Sequence, residues 1–322
     1  MIRIIFVQVL IMFLLSAVGY LMFKGGKISN EGSKSIGNIL VYLSLPCVII
    51  NGFLVEKTPE RLQGLLISAV LALLVLLLSM GISRVLLGRH ALDNFAGSFS
   101  NPGFFGVPII VATFSEGAVF YVASFIAFLN LLQWTYGVYL LDNSGEDGML
   151  LKKTAAGPAD TSIGGKFAAV AKRLIKAPFM IAILIGCFFF FSGIPMPGIF
   201  SKCITFIANV NTPLAMFTIG IYAAQTDLRK MFVNPHLYKV SAVKLICVPL
   251  LAILLFKILP FGSEELKTCV LIAAACPVGS NIAVYAQLHN KDYCYAVETV
   301  VLSTFLSIAT LPMVVALANV IA

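Results

Sequence analysis

Ser100-Asn101-Pro102-Gly103-Phe104-Phe105-Gly106-Val107-Pro108 and Ala275-Cys276-Pro277-Val278-Gly279-Ser280-Asn281 are two stretches of one kind: glycine and proline beside asparagine, each in the middle of an apolar run. Proline has no backbone donor and clashes with the turn before it, and glycine lets the chain leave helical geometry. Both runs are therefore expected to unwind near their centres. Around them lie further runs long enough to cross a bilayer, near 4–23, 36–54, 62–87, 94–113, 117–141, 178–193, 199–224, 237–259, 266–288 and 293–321. A crossing helix takes about 20 mostly apolar residues, so ten runs would use roughly 200 positions.

The composition agrees. Of 322 residues 60% are apolar and 11% charged, with a mean hydropathy of +0.99; an ordinary soluble domain has about half and a quarter. Continuous runs such as Leu65 to Leu78 disfavour a transmembrane barrel, whose strands alternate apolar and polar positions. The fold class is thus an all-α polytopic membrane protein. The net charge of +8 flanks the runs and needs no nucleic acid to explain it. Seven cysteines stand singly, without a Cys-x-x-Cys pair, and read as small core residues. Ile4 to Phe23 is long and has no small-x-small cleavage site, so it reads as an uncleaved first span.

Lysine and arginine set the orientation. Loops after the odd-numbered runs hold 15 of them and the opposite ends 6. The excess belongs inside, which puts both termini outside and the 142–177 loop in the cytoplasm of a cell (inner or plasma) membrane. That loop opens with a Gly-, Ala-, Asp- and Ser-rich linker, Asp142 to Gly165. Its remainder, Lys166 to Lys176, alternates basic and apolar residues and reads either as a short helix on the inner leaflet or as a solvated linker end.

The loop divides the chain into 1–141 and 178–322, five runs each, and an odd number forces the second half to enter the membrane inverted. In each half the second run carries a proline, in Leu45-Pro46-Cys47 and Thr212-Pro213-Leu214, and the fourth carries the Gly/Pro break. Matching interrupted spans in inverted halves point to a transporter's substrate site. Unwinding there exposes main-chain groups that lipid cannot satisfy, and half-helix ends offer partial positive charge to an anion. Asn101 and Asn281 add amide donors, while from Phe95 to Phe114 and from Leu271 to Leu288 there is no carboxylate. Oxygens of Ser98, Ser100, Asn101, Ser280 and Gln287 leave sodium open as a ligand.

Asn101 to Pro108 resembles the Asn-Thr-Gly-Phe-Leu-Gly-Ile-Pro signature of the auxin efflux carrier family, which includes plant PIN-formed auxin exporters and bacterial malonate- and malate-type permeases. Lys176-Ala177-Pro178, Gly186 and Ile194-Pro195-Met196-Pro197 match the start of that family's second half. Pro213-Leu214-Ala215-Met216-Phe217-Thr218-Ile219-Gly220 resembles its Pro-Leu-Ala-Leu-Phe-Ala-Leu-Gly segment, and Ala275 to Ala286 and Leu302 to Pro312 fit its last spans. The resemblance implies a five-plus-five inverted repeat whose fourth and ninth helices cross at their breaks, an architecture shared with bile acid:sodium symporters. It also implies a scaffold (1–54 plus 178–224), which pairs two copies, and a mobile transport domain (62–141 plus 237–322) working as an elevator. Substrate contacts would fall at Asn101, Pro102, Gly103, Gly106, Pro108, Pro277, Gly279, Ser280 and Asn281. Pro102 departs from the usual threonine, losing a hydroxyl and a backbone donor beside Asn101.

Two ionisable residues lie inside runs, Lys244 and Glu298, and are candidates for charge or coupling roles as well as for snorkelling or interfacial placement. His90, His236 and His289 stand at run ends and read as lone solvated imidazoles. No nucleotide-binding or zinc-hydrolase motif is present, and no metal or cofactor is expected, with sodium or protons left as possible coupling ions. The expected function is secondary transport of a small organic anion. A sodium-coupled bile-acid-type symporter and a ligand-binding sensor without transport are the alternatives.

Overall fold

Every apolar run of the sequence becomes helix in the computed structural model, which describes residues 2–88, 90–142, 177–259 and 261–321. The expected amphipathic stretch Lys166 to Lys176 lies outside the described residues. In chain order the helices are α1 (Ile2–Lys24), α2 (Asn30–Phe53), α3 (Pro59–Leu87), α4 (Ala91–Ser98), α5 (Pro102–Thr113) and α6 (Glu116–Asp142). They continue with α7 (Pro178–Ser192), α8 (Gly198–Gln225), α9 (Leu228–Val233), α10 (Pro235–Ile258), α11 (Glu264–Ala275), α12 (Asn281–Leu288) and α13 (Tyr293–Ile321). Seven of them (α1, α2, α3, α6, α8, α10 and α13) are long and apolar enough to cross a membrane, and α5 and α7 are shorter apolar helices. The protein is a polytopic, all-helical membrane protein.

Polar residues start the helices at the loops. Ser29, Thr58 and Ser263 each accept a hydrogen bond from a backbone N–H in the first turn of α2, α3 and α11. Contacts between loops sort the helix ends into two faces. On one, Gln225 donates to Asn30 (3.1 Å), Tyr293 donates to Gln225 (3.4 Å), and His289 lies 2.7 Å from Asp142. On the other, Lys57 donates to the Phe191 carbonyl (3.0 Å) and Asn51 to Glu116 (3.1 Å).

Several helices contain one over-wide turn, and prolines explain most of them. The turns Leu40–Ser44, Pro102–Gly106 and Val243–Cys247 each end two residues before a proline, namely Pro46, Pro108 and Pro249. A proline cannot donate to the carbonyl four residues back, so the chain opens by one residue. The residue just before it donates five back instead: Leu45 to Leu40, Val107 to Pro102 and Val248 to Val243.

Where helices pass closest, glycine is what permits it. A Cβ at Gly19 would lie 2.6 Å from the Phe217 Cα, and one at Gly220 would strike the Ser16 carbonyl oxygen, so α1 and α8 touch main chain to main chain. In a bilayer such small-residue contacts replace the hydrophobic drive between helices. Gly220→Leu is therefore expected to lower the melting temperature of the purified protein sharply, since overpacking costs about 1–3 kcal/mol even where neighbours can yield. An unchanged melting curve would show that α1 and α8 do not meet this way.

Candidate functional site

The two Gly/Pro breaks meet. The Asn101 N–H donates to the Pro277 carbonyl (2.9 Å) and the Gly279 N–H to the Phe99 carbonyl (3.1 Å), so Ser100 and Val278 form a single antiparallel bridge between two interrupted helical runs. The physical need is plain: a main-chain group left unpaired in the bilayer interior costs several kcal/mol. The Ser303 hydroxyl of α13 accepts from the Val278 N–H (3.1 Å), and the Asn101 carbonyl accepts from Phe105 and Gly106.

Glycines make the approach possible. A Cβ on Gly279 would lie 2.8 Å from the Ser100 carbonyl oxygen, one on Gly106 2.9 Å from Cys276 Sγ, and one on Gly103 2.9 Å from a Leu45 methyl. Asn101, Pro102, Gly103, Gly106, Pro108, Pro277, Gly279 and Ser280 are all buried, and Asn281 is half-buried.

Polar side chains surround the bridge, and several lack partners. Asn281 donates to the Oε1 of Gln133 in α6 (3.3 Å), which leaves the Gln133 Nε2 without a partner. The Asn101 Nδ2 and the hydroxyls of Ser98 and Ser100 are also buried without a hydrogen-bond partner among the described residues. Asn211, at the break in α8, donates to the Gly103 carbonyl (3.1 Å).

Among the described residues, cavities open at and near this centre. A small one of about 70 Å³ is lined by Ser100, Asn101, Phe104, Asn130, Gly279 and Asn281. A larger one of about 600 Å³ reaches Ser280 and Asn281 from the face of the α1–α2 loop, with Lys34 in its lining. A third of about 370 Å³ comes from the opposite face, with Glu116 in its lining, and touches Val107, Pro108 and Asn211 but not Asn101.

A model of the family described as membrane transport protein matches residues 4–315. The chain belongs to this family of auxin efflux carriers. A Rhizobium meliloti protein bearing the provisional name malonate transporter is 25% identical over 305 residues, covering 91% of this chain and 89% of that one. An uncharacterised transporter of Methanothermobacter thermautotrophicus is 25% identical over 313 residues, 95% of each chain. An uncharacterised transporter of Methanocaldococcus jannaschii is 26% identical over 235 residues, 69% of this chain and 70% of its own. The protein is accordingly a membrane transporter.

Within the transporter, the two ionisable candidates lie apart from each other. Lys244 is buried in the wide turn of α10 at 1% exposure, within electrostatic reach of Cys276, the residue before Pro277. Glu298 is half-buried near the start of α13, among the charges of Asp292, Asp227 and Lys230. No ion pair joins Lys244 to Glu298 among the described residues.

The histidine reading needs correction. None of the three is a lone solvated imidazole: His289 pairs with Asp142, and His90 and His236 both contact the fully buried Asp93. Gln133, Ser303 and Asn211 also escaped the sequence reading. Asn211 stood beside the quoted Pro213, but Gln133 had no break beside it to mark it.

Proposed function

We propose that this transporter carries a small organic anion, a mono- or dicarboxylate, and that it binds the carboxylate at the meeting point of the two breaks. The observation that carries this is the buried, unpartnered Asn101 Nδ2 on a residue lining a cavity with no carboxylate in its lining, with the unpartnered Gln133 Nε2 next to Asn281 of the same lining. Unpaired donors in a low-dielectric site favour an acceptor that brings its own negative charge. The positive Lys34 in the wider cavity adds attraction at that entrance. The provisional name of the Rhizobium meliloti relative makes malonate the first substrate to try.

In this reading the chain is an inverted repeat of 1–141 and 178–322. Helices α3–α6 and α10–α13 move as a transport domain against a scaffold of α1, α2, α7 and α8. Cavities reaching the break region from opposite faces fit alternating access, and the Asn211 to Gly103 hydrogen bond is a contact between the two sets that would break as they slide. Two copies would pair through the scaffold, where the first half of α8 buries no residue within one chain. The face with the α1–α2 loop would be cytoplasmic.

The test is malonate and related carboxylates against the purified protein in a thermal-shift series, then flux of the binding anion in proteoliposomes. Saturable uptake that follows the melting-temperature rank order is expected. Absence of a shift with every carboxylate would overturn the substrate class. The unpartnered hydroxyls of Ser98 and Ser100 favour one second reading, sodium coupling, because oxygens alone can ligate that ion. Uptake that needs sodium would establish it.

Lys244 lines none of the three cavities described, so it acts on the substrate only through its field or by exchanging a proton. Lys244→Met is expected to leave malonate affinity within about threefold while changing how flux depends on pH or membrane potential. Loss of binding by equilibrium dialysis would show instead that the ammonium reaches the anion.

A further inference from the structure

A cluster of side chains that the transport reading does not use lies at the face of the α1–α2 loop. Asp93, in the first turn of α4, is fully buried. The His236 Nε2, from the first turn of α10, is 2.6 Å from its Oδ2, and the His90 Nδ1 is 3.1 Å from its Oδ1. The Tyr295 hydroxyl, from the start of α13, donates to Oδ1 at 2.6 Å. One ligand atom from each of His90, Asp93 and His236 lies within 4.8 Å of the others.

The geometry points to a divalent metal site of the zinc class, with His90, Asp93 and His236 as ligands and Tyr295 holding the carboxylate from behind. Zinc takes imidazole nitrogen at about 2.0–2.1 Å and carboxylate oxygen at about 2.0–2.2 Å, so two ligand atoms at a tetrahedral angle lie roughly 3.3 Å apart. The His90 Nδ1 stands near that distance from Oδ1 and the His236 Nε2 somewhat inside it from Oδ2, and the three ligand atoms, within 4.8 Å of one another, close onto one ion by side-chain shifts of about 1–1.5 Å. Two neutral imidazoles and one carboxylate suit zinc, cobalt or nickel and are poor ligands for calcium or magnesium, which prefer oxygen alone.

Access and support are both present. The side chains of His90 and His236 are 57% and 50% exposed, so an ion can enter from water and keep a solvent ligand, while Asp93 is anchored out of solvent. A phenol holding the ligating oxygen is the kind of outer contact that orients metal carboxylates. Three helix N-termini converge here, and their positive ends oppose a cation, so the expected affinity is below that of a closed four-ligand zinc site. A bound ion would tie α4, α10 and α13 together just after α9, the short helix that follows the last scaffold helix.

The test uses the full-length protein in detergent, with its affinity tag removed and metal stripped by chelator, titrated with zinc chloride by calorimetry and with cobalt chloride by visible absorption. One ion per chain is expected, with cobalt bands typical of low-coordinate nitrogen and oxygen ligation. His90→Ala and His236→Ala should each weaken binding at least about tenfold, while His289→Ala, which alters the separate pair with Asp142, should not. Because His90 is half exposed, its variant is expected to fold as the parent does. Absence of saturable binding, or binding that survives the double His90→Ala, His236→Ala change, would overturn the site. Neither readout depends on what the transporter carries.

Discussion

Asn101→Ala is expected to abolish carboxylate binding while leaving the protein folded. The amide nitrogen of Asn101 makes no hydrogen bond within the described chain, so its removal leaves no protein partner unpaired. The bonds that hold the break together at this residue are main-chain ones, Asn101 N–H to Pro277 and Asn101 carbonyl to Phe105 and Gly106, and alanine keeps them. A hydrogen bond to a charged group contributes about 1.5–3 kcal/mol, which corresponds to roughly 10- to 150-fold in affinity and removes binding at malonate concentrations near the parent's Kd. The thermal shift produced by malonate should vanish and the ligand-free melting temperature should stay within a degree or two. Near-normal flux in this variant would place the substrate elsewhere.

Gly279→Ala has the opposite profile. The added carbon would lie 2.8 Å from the Ser100 carbonyl oxygen, which is backbone and cannot swing aside. The chain must move there, and the bond from the Gly279 N–H to the Phe99 carbonyl is the first to be lost. Each unpaired buried group costs about 1–3 kcal/mol, on top of a similar cost for overpacking. The variant should be recovered in low yield, with a markedly lower melting temperature in the absence of any ligand. Gly81→Ala in α3 is the control, since nothing lies within 4 Å of its added carbon and a helix interior gains up to about 1 kcal/mol from the change. A Gly279→Ala protein as stable as the parent would contradict the bridge.

The helices were legible in the sequence because bilayer-length apolar runs are dictated by local composition. The breaks were legible because proline and glycine act on their own neighbours: Pro102, Gly103 and Gly106 mark one and Pro277 and Gly279 the other. Asn101 and Asn281 were found for the same reason, by standing at the breaks. Gln133 could not be found that way. It stands in a run beside Trp134 and Tyr136 with no proline next to it, and its partner Asn281 is 148 positions away. Trp134 itself is half-buried and packs against Tyr285 of α12, with ring centres 5.5 Å apart. The misreading of His90 and His236 has a related cause. The spacing of His90 to Asp93 is visible in sequence as neighbours on one helical turn, but His236 and Tyr295 reach the same carboxylate from 143 and 202 positions away. Charge pairs assembled from distant helices leave no local trace.

The two hydrogen bonds that join the breaks across the Ser100 to Val278 bridge are main-chain to main-chain, and Ser303 is the side chain that holds a bridge N–H. That separates durability from selectivity. In the proposed site, a lineage can exchange the amides and hydroxyls at positions 98, 100, 101, 133 and 281 one at a time without removing the main-chain bonds that join the two breaks. The glycines at 106 and 279 have no such freedom, because their substitution brings a carbon against Cys276 or the Ser100 carbonyl whatever the cargo. Under the proposed function, substrate preference is therefore easy to change and the joint hard, which would suit a single scaffold to serving chemically unlike solutes.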